Sequence, residues 1–313
     1  MNIAILGGGS WGTALGIHLA KKKYNIRIWE FFEEQAKEMQ EKRHCKLLPH
    51  LPIPDNIFIS SNQKEVLANA ELILLVVPSD KVESTLKSAL PYLQEKPIVI
   101  CSKGFASDMR LLSEVVSEKV NGQVYCLYGP THAEEVCKGI FSGIVLAGED
   151  TEEIKQAFES DVLKVDVTGD LIGVQIAASL KNILAVLIGI LDGAGYGDNT
   201  MAYVLTKGLA EIQKVGLQME ANPETFYGLA GMGDLIVTCS SEHSRNRHVG
   251  SEIGKGKKLN DILKEMNMVA EGVSTAKFIP QLIDKYDLEL PLLHGTYQIL
   301  FENKNIKEIL LSL

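Results

Sequence analysis

The segment NIAILGGGSWGTALG, residues 2–16, decides the fold of the first half of this chain. A short apolar run precedes a glycine-rich turn, and apolar residues then recur at helical spacing. The turn matches the pattern G-x-G-x-x-G at Gly7, Gly9 and Gly12. Between a strand and a helix, this pattern indicates a dinucleotide-binding loop, because glycines permit a tight turn and the helix start faces a pyrophosphate.

A second apolar run, residues 26–29, leads into Glu30. Glu30 follows Gly12 at roughly the 20-residue offset of an acid that binds the adenine ribose. A carboxylate there accepts hydrogen bonds from the 2′-hydroxyl and repels a 2′-phosphate, so we expect NAD rather than NADP. The alternative is a glycine-rich turn followed by a solvated glutamate, which the strand–turn–helix–strand context disfavours.

Strand-like and helical patterns alternate over residues 1–170, which predicts a doubly wound, Rossmann-like α/β domain. Several apolar runs are continuous and β-branched, as in strands that are buried on both faces of a parallel sheet. The runs are residues 3–6, 26–29, 57–59, 72–77, 98–100, 124–127 and 144–147.

Over residues 171–313 the strand-like runs nearly vanish, which predicts an all-helical second domain. The cationic stretch and the buried-lysine candidate described below lie in it, so we expect it to be the substrate and catalytic domain. Apolar residues recur at helical spacing in residues 172–191, 201–215, 276–283 and 297–301.

Composition limits the partners and the compartment. The chain has 313 residues and a formal net charge of −9, which argues against a nucleic-acid or anionic-membrane surface. Its five cysteines are irregularly spaced and form no C-x-x-C pair, so we expect no disulfide framework, no metal site and a cytoplasmic location. The longest apolar run, residues 183–191, is too short to span a bilayer.

A cationic stretch, HSRNRHVG at residues 243–250, stands out in this acidic chain. It is either an ordinary solvated helix start or a pocket for an anion. It follows the glycine-rich AGMGD, residues 230–234, and Ser244, Arg245 and Asn246 are placed to point from a helix start towards one ligand. Arginine suits bidentate phosphate recognition, so with a dinucleotide domain upstream we favour the anion pocket.

Lys181 lies within an apolar helical stripe, with Val174, Ala178, Ala185 and Ile188. Such a lysine usually extends its ammonium group to water. The alternative is a half-buried ammonium, for which desolvation would lower the pKa and favour proton donation near neutral pH. The spacing leaves both possibilities open.

Two strand ends carry further polar groups. Lys103 follows the apolar run at residues 98–100. It is either a ligand-binding lysine at the end of a strand or a surface lysine in a turn. Thr131 and Glu134 form a T-x-x-E capping box, which predicts a helix start whose amides can also meet an anion. We expect a structural role for His132, since no carboxylate pairs with it in sequence.

Taken together, these segments resemble the bacterial-type NAD(P)-dependent glycerol-3-phosphate dehydrogenases. The SRNR segment behind AGMGDL is the most specific feature, and the G-x-G-x-x-G pattern is the least specific. The resembling segments cover almost the whole chain: GGGSWGTALG, CSKGF, GPTHAEEV, SLKN, GLAGMGDLIVTCSSEHSRNRHVG and VAEGVSTAKFIPQL.

The resemblance implies reversible hydride transfer between NAD(P)H and dihydroxyacetone phosphate, giving sn-glycerol 3-phosphate for phospholipid synthesis, by a homodimer. It implies that Lys181 is the catalytic acid/base. Implied substrate contacts are Lys103, Gly129, Thr131, Lys181, Asp234, Ser244, Arg245 and Asn246. The residues expected to contact the cofactor, from the glycine-rich loop, from the strand that follows it and from the resemblance, are Gly7, Gly9, Ser10, Trp11, Gly12, Glu30, Phe31, Lys103, Ala133, Arg245, Val269 and Glu271.

The chain departs from the family's pattern in two places. Position 131 is threonine where the family often has serine, and both side chains offer a hydroxyl. After Trp29, many bacterial relatives have a basic residue that suits a 2′-phosphate, whereas this chain has Glu30-Phe31-Phe32. The second departure strengthens the expectation of NAD.

Two other functions compete with this one. A 3-hydroxyacid dehydrogenase shares the domain plan and a helix lysine, but it does not explain SRNR behind GMGD. A dinucleotide-sensing module without turnover would bind NADH tightly, and it gives Lys181 no role.

Overall fold

The computed structural model describes residues 1–93, 95–266 and 270–311. The chain forms two compact units, Met1–Leu171 and Ile172–Leu313. Each unit is built around its own apolar core.

The first unit contains one eight-stranded sheet in the order β3-β2-β1-β4-β5-β6-β7-β8. All neighbouring strands are parallel except β6 and β7, which are antiparallel. The strands are β1 (Asn2–Leu6), β2 (Asn25–Trp29), β3 (Ile57–Ser60), β4 (Leu72–Leu75), β5 (Ile98–Ile100), β6 (Val124–Tyr128), β7 (Ser142–Ala147) and β8 (Leu163–Thr168).

Helices connect these strands and supply the apolar side chains that cover the sheet. They are α1 (Ser10–Lys21), α2 (Glu33–Lys42), α3 (Gln63–Leu67), α4 (Val82–Leu93), α5 (Leu112–Ser117), α6 (Ala133–Lys138) and α7 (Glu152–Phe158), with a 3₁₀ turn at Ser79–Lys81. Strands β4 and β5 are buried along their whole length, which explains their unbroken apolar sequences. The predicted Rossmann-like α/β fold is confirmed.

One strand, β8, was not predicted from the sequence. Each of the seven predicted runs coincides with a strand, but β8 has the sequence LKVDVT, in which Lys164 and Asp166 are exposed and alternate with the buried Leu163 and Val165. This strand lies at the edge of the sheet, beside β7. Its alternating pattern therefore differs from the continuous apolar runs of the central strands.

The second unit is helical throughout its described residues. Its helices are α8 (Leu171–Gly193, which begins at the boundary), α9 (Asp198–Gln218), α10 (Asp234–Ser240), α11 (Arg245–Gly254), α12 (Leu259–Glu265), α13 (Glu271–Ala276), α14 (Ile279–Tyr286), α15 (Pro291–Glu302) and α16 (Ile306–Leu311). A 3₁₀ turn, Pro223–Tyr227, and a π-helical turn, Leu229–Gly233, precede α10. The pattern predicted as one helix at residues 276–283 instead crosses the break between α13 and α14.

Helix α8 is the core of this unit. Among the described residues it is the one helix long and apolar enough to cross a bilayer by length and composition, and 89 % of its most apolar window is buried inside the protein. Every residue from Gly173 to Leu191 is buried, including Lys181.

Glycines bring α8 and α11 into backbone contact. A Cβ atom at Gly250 of α11 would lie 2.0 Å from the carbonyl oxygen of Val186. A Cβ atom at Gly193 of α8 would lie 2.1 Å from the carbonyl oxygen of Ser251. This close crossing brings the start of α11 to the middle of α8, where Asn246 hydrogen-bonds to Asn182.

Candidate active site

The glycine-rich turn of the first unit has the geometry of a phosphate-binding loop. Gly7 has a φ of +127°, and a Cβ atom there would lie 2.6 Å from the carbonyl oxygen of Val76. A Cβ atom at Gly12 would lie 2.0 Å from the carbonyl oxygen of Gly7. A Cβ atom at Gly9 would meet nothing within 4 Å, so space remains in front of the N-terminus of α1. Backbone amides there are accessible to a pyrophosphate.

Glu30 lies beside this loop, directly after β2. Its side chain is buried, with 6 % of the residue exposed, and a Cβ atom at Gly8 would lie 2.6 Å from Glu30 Oε2. Oε1 accepts a hydrogen bond of 3.1 Å from the backbone N–H of Phe32. Burial raises the pKa of Glu30, while hydrogen bonds from the Phe32 and Phe31 amides oppose that shift. Glu30 is thus not the solvated glutamate of the alternative interpretation.

Aromatic side chains surround Glu30 and the start of α1. Phe31 and Phe32 are 69 % and 62 % exposed, and the Phe31 ring packs edge-on against Trp29 at 5.9 Å. Trp11, in the first turn of α1, packs against the core of the first unit. The expected cofactor residues of α1 and β2 therefore share one edge of the sheet.

Lys103 and Gly129 follow the C-terminal ends of the neighbouring strands β5 and β6. The hydroxyl of Ser102 donates to the carbonyl of Val77 at 2.5 Å, and the hydroxyl of Tyr128 donates to the carbonyl of Ser102 at 2.7 Å. Gly129 has a φ of +156°, and a Cβ atom there would lie 3.0 Å from Ile144 Cα. These contacts fix Ser102 and Tyr128, the residues directly before Lys103 and Gly129.

The predicted capping box at Thr131 and Glu134 is wrong. Helix α6 begins at Ala133, and its N-cap residue is His132, whose side chain makes no capping hydrogen bond. The Thr131 hydroxyl instead donates to the carbonyl of Gly129 at 3.3 Å. Threonine hydroxyls readily bond to nearby backbone groups, and here the turn before the helix uses that capacity.

Lys181 lies at the centre of a buried polar cluster in the second unit. The residue is 4 % exposed, and Nζ donates to Asp234 Oδ1 at 2.8 Å and to the hydroxyl of Thr238. Asp234, the first residue of α10, is 1 % exposed. Lys181 neither extends to water nor is half-buried, so both sequence-based alternatives underestimate its burial.

The Asp234 carboxylate stabilises the ammonium form of Lys181. Two charges out of water persist only where they pair closely and other hydrogen bonds satisfy them, and Thr238 supplies such a bond. Burial raises the pKa of the nearby Cys239 thiol to about 12, so that group stays protonated. The Lys181 ammonium group therefore carries the protons that this cluster shares between nitrogen and oxygen.

The cationic stretch forms a capped helix start at the beginning of α11. Ser244 is the N-cap residue, and its hydroxyl accepts a hydrogen bond of 3.3 Å from the Arg247 N–H. Asn246 is buried and bonds to Asn182 and to the Gly272 amide. Arg245 is exposed, whereas the Ser244 hydroxyl and the Asn246 amide bond to groups of the protein itself; that the three side chains meet one ligand stays a prediction.

Two family models match the chain. The model described as "NAD-dependent glycerol-3-phosphate dehydrogenase N-terminus" matches residues 2–154, and its C-terminal counterpart matches residues 170–311. The chain belongs to this glycerol-3-phosphate dehydrogenase family.

Whole-chain relatives agree with the family models. The glycerol-3-phosphate dehydrogenase (NAD(P)+) of Chlorobium phaeobacteroides is 41 % identical over 323 residues, covering 100 % of this chain and 97 % of the relative. That of Fusobacterium nucleatum is 39 % identical, covering 98 % and 95 %. The crystal structure of glycerol-3-phosphate dehydrogenase from Coxiella burnetii superposes with a TM-score of 0.96 at 32 % identity, covering 99 % and 98 %.

Two residues of the Lys181 surroundings in this dehydrogenase, Thr238 and Asn182, were not predicted from the sequence. Thr238 follows Asp234 by four residues in α10, a spacing that puts both on one helix face. Asn182 follows Lys181 directly, but nothing in its spacing shows that it meets Asn246. The spacing alone thus offered a signal for Thr238 and none for Asn182.

The remaining expected residues are placed as follows. Glu271 is the first residue of α13, and Ala133 is the first residue of α6. Val269 lies outside the described residues. Across residues 1–93, 95–266 and 270–311, no three His, Cys, Asp or Glu side chains are grouped as metal ligands.

Proposed function

We propose that this protein catalyses reversible hydride transfer between NADH and dihydroxyacetone phosphate, with sn-glycerol 3-phosphate as the product. The observation that carries the proposal is the buried contact of Lys181 with Asp234 and Thr238, in a chain whose family is glycerol-3-phosphate dehydrogenase. Relatives that bear this name cover nearly the whole chain. In this function the buried ammonium has a chemical task, which a sensing module would not give it.

The first unit fits a nicotinamide dinucleotide. Gly7 and Gly12 shape the loop, and the open space at Gly9 admits the pyrophosphate to the start of α1. Further cofactor contacts are assigned, on the family resemblance, to Ser10, Trp11, Glu30, Phe31, Lys103, Ala133, Arg245, Val269 and Glu271. When bound, the reduced cofactor supplies the hydride for the ketone carbon.

Lys181 acts as the general acid in the reducing direction. As the ketone carbon is reduced, negative charge develops on its oxygen, and an ammonium group stabilises that charge and donates a proton to it. The product then carries a hydroxyl group, and Lys181 is left as a neutral amine that water reprotonates. Asp234 and Thr238 hold Nζ in place through their hydrogen bonds.

Arg245 is assigned to the substrate phosphate. Its guanidinium can form charge-assisted hydrogen bonds with a phosphate, and its place at the exposed start of α11 leaves it accessible. The family resemblance assigns further substrate contacts to Lys103, Gly129 and Thr131. The same resemblance assigns substrate contacts to Asp234, Ser244 and Asn246. In the structure, Asp234 accepts a hydrogen bond from Lys181, Ser244 caps α11, and Asn246 accepts one from the Gly272 amide.

We further propose that NAD is preferred to NADP. The buried Glu30 carboxylate sits against the glycine loop, where it can accept bonds from a ribose 2′-hydroxyl and would repel a 2′-phosphate. The groups that stabilise its charge are two backbone N–H donors, those of Phe32 and Phe31. A homodimer in the cytoplasm that supplies phospholipid synthesis completes the proposal, and the five buried free cysteines are compatible with a reducing compartment.

The test mixes the purified protein with dihydroxyacetone phosphate and either NADH or NADPH, and follows cofactor absorbance. We expect rapid oxidation of NADH and slow oxidation of NADPH. Faster oxidation of NADPH would retain the enzyme and reject the preference assigned to Glu30. Absence of oxidation with both cofactors would reject the dehydrogenase function for this chain.

A further inference from the structure

A continuous hydrogen-bond chain links the neighbour of Lys181 to the start of α13. The Gly272 N–H donates to Asn246 Oδ1 at 2.9 Å, and Asn246 Nδ2 donates to Asn182 Oδ1 at 2.9 Å. Asn182 Nδ2 then donates to the carbonyl of Ala178 at 3.2 Å. The chain therefore runs from one backbone donor, through two side-chain amides, to one backbone acceptor.

The two ends of this chain fix the orientation of both amides. The Gly272 N–H requires an oxygen, so Oδ1 of Asn246 must face it, and the Asn246 amine must then face Asn182. Rotating either amide by half a turn would set donor against donor or acceptor against acceptor. Because both asparagines are buried, such a mismatch would have no water to relieve it.

Gly272 also touches α8 through its backbone. A Cβ atom at position 272 would lie 2.3 Å from the carbonyl oxygen of Asn182 and 3.0 Å from Asn246 Oδ1. The start of α13 is therefore seated directly on the turn of α8 that carries Lys181. Glu271 precedes Gly272, so its backbone position follows from this contact.

We infer that Asn182, Asn246 and Gly272 form a positioning chain that couples the Lys181 turn of α8 to the Glu271 end of α13. Asn246 keeps one amide hydrogen beyond the bond to Asn182, so a direct contact with substrate is compatible with this role. Asn182 is a positioning residue, since its side chain bonds to Asn246 and to the carbonyl of Ala178. The expected effect on NADH affinity rests on the proposed function, which assigns Glu271 to the cofactor. The expected effect on hydrogen exchange at the Gly272 amide is independent of that function.

The decisive variant is Asn182→Ala, because the Asn182 side chain reaches the Gly272 amide through Asn246, while the Asn182 carbonyl that packs against Gly272 is kept. We expect hydrogen exchange of the Gly272 amide to accelerate about tenfold, which corresponds to the loss of one buried hydrogen bond. We also expect the Kd for NADH, measured by fluorescence without substrate, to rise about fivefold. Ser274→Ala is the matched control, since Ser274 is exposed on the same helix, and it should change neither quantity.

A second variant keeps the inference testable if Asn182→Ala folds poorly. Asn182→Ser retains a short polar side chain but does not reach Asn246, and it should accelerate exchange at Gly272 in the same direction. Unchanged exchange at Gly272 in a folded Asn182 variant would overturn the positioning chain. Accelerated exchange without a change in NADH affinity would overturn the coupling to the cofactor, whereas failure of wild-type turnover would reject the proposed function itself.

Discussion

The glycine loop is open to a ligand because it lacks side chains, whereas the Lys181 cluster is buried because its side chains pair with one another. The loop works because Gly7, Gly9 and Gly12 lack side chains, and all its parts lie within a short stretch of sequence. The Lys181 cluster works because side chains satisfy one another, although Lys181 and Asp234 are 53 positions apart and Asn182 and Asn246 are 64 positions apart. A site built from backbone is thus readable from local sequence, while a site built from paired side chains depends on how helices pack.

The largest expected effect concerns the paired side chains. Lys181→Met should lower kcat by about a thousandfold, because it removes the proton donor. It should also reduce the free energy of unfolding by about 3–5 kcal/mol, since Asp234 would remain as a buried, unpaired carboxylate. Steady-state kinetics and urea unfolding measure the two effects.

The double variant Lys181→Met, Asp234→Asn separates chemistry from stability. It should recover most of the unfolding free energy without recovering turnover, because no buried charge remains. Full turnover in the single variant would contradict the catalytic assignment. A parallel loss of NADH affinity would instead make Lys181 a cofactor-binding or folding residue.

The loop should respond differently at two of its glycines. Gly12→Ala places a Cβ atom 2.0 Å from the Gly7 carbonyl oxygen, so we expect it to cost about 2–3 kcal/mol of unfolding free energy. Gly9→Ala meets no atom of the protein within 4 Å and should leave stability within about 0.5 kcal/mol of wild type. Its Kd for NADH should nevertheless rise, because the methyl group occupies the approach of the pyrophosphate. Equal stabilities for the two variants would contradict this description of the loop.

Arg245 and Arg247 provide a comparison within one helix turn. Arg245→Ala should raise the KM for dihydroxyacetone phosphate about 10- to 100-fold, the value of one charge-assisted phosphate contact. Arg247→Ala should leave KM near the wild-type value, because Arg247 pairs with Asp192 at 2.8 Å. Initial rates over a range of substrate concentrations measure both. A larger KM change for Arg247→Ala than for Arg245→Ala would indicate that Arg247, not Arg245, binds the phosphate.

A pH-dependent effect contrasts Glu211 with Asp234. Glu211 of α9 is buried and accepts the backbone N–H groups of Leu292 and Leu293 at 2.9 and 3.0 Å, at the start of α15. Burial raises the pKa of Glu211 to about 7, against the opposing effect of those two hydrogen bonds. Asp234, in contrast, has a cation beside it.

Because the folded state binds this proton more tightly than the unfolded state, Glu211 should make the wild type lose stability as pH rises from about 4.5 to about 7. The slope should be at most about 1.4 kcal/mol per pH unit. Glu211→Gln should remove that slope in urea unfolding measured across the same range. An identical pH dependence in wild type and variant would show that other groups cause it.

The sequence predicted the first unit well because its signals are local. The apolar runs of the central strands, the loop and the position of Glu30 each occupy a few consecutive residues. Strand β8 was missed because its edge position lets Lys164 and Asp166 alternate with buried residues. The capping box at Thr131 failed for a related reason: two kinds of turn compete for one hydroxyl, and spacing does not decide between them.

For the second unit, the sequence identified the chemical groups but not their arrangement. Helical spacing placed Lys181 among apolar residues, yet its full burial depends on Asp234 and Thr238, which arrive on another helix. Likewise, the cationic stretch indicated an anion site, but the inward direction of Asn246 depends on the close crossing of α8 and α11. Non-local packing decides which polar side chains reach a ligand and which support their neighbours.

The apolar character of α8 has a consequence for biosynthesis. Gly208, Gly250 and Gly272 pack against α8, and all three follow it in the sequence. The ribosome therefore synthesises α8 before the segments that cover it. During that interval the nascent chain exposes a segment with the length and composition of a membrane span. Chaperone capture of the nascent chain while residues 194–272 are being made should therefore affect the yield of folded enzyme.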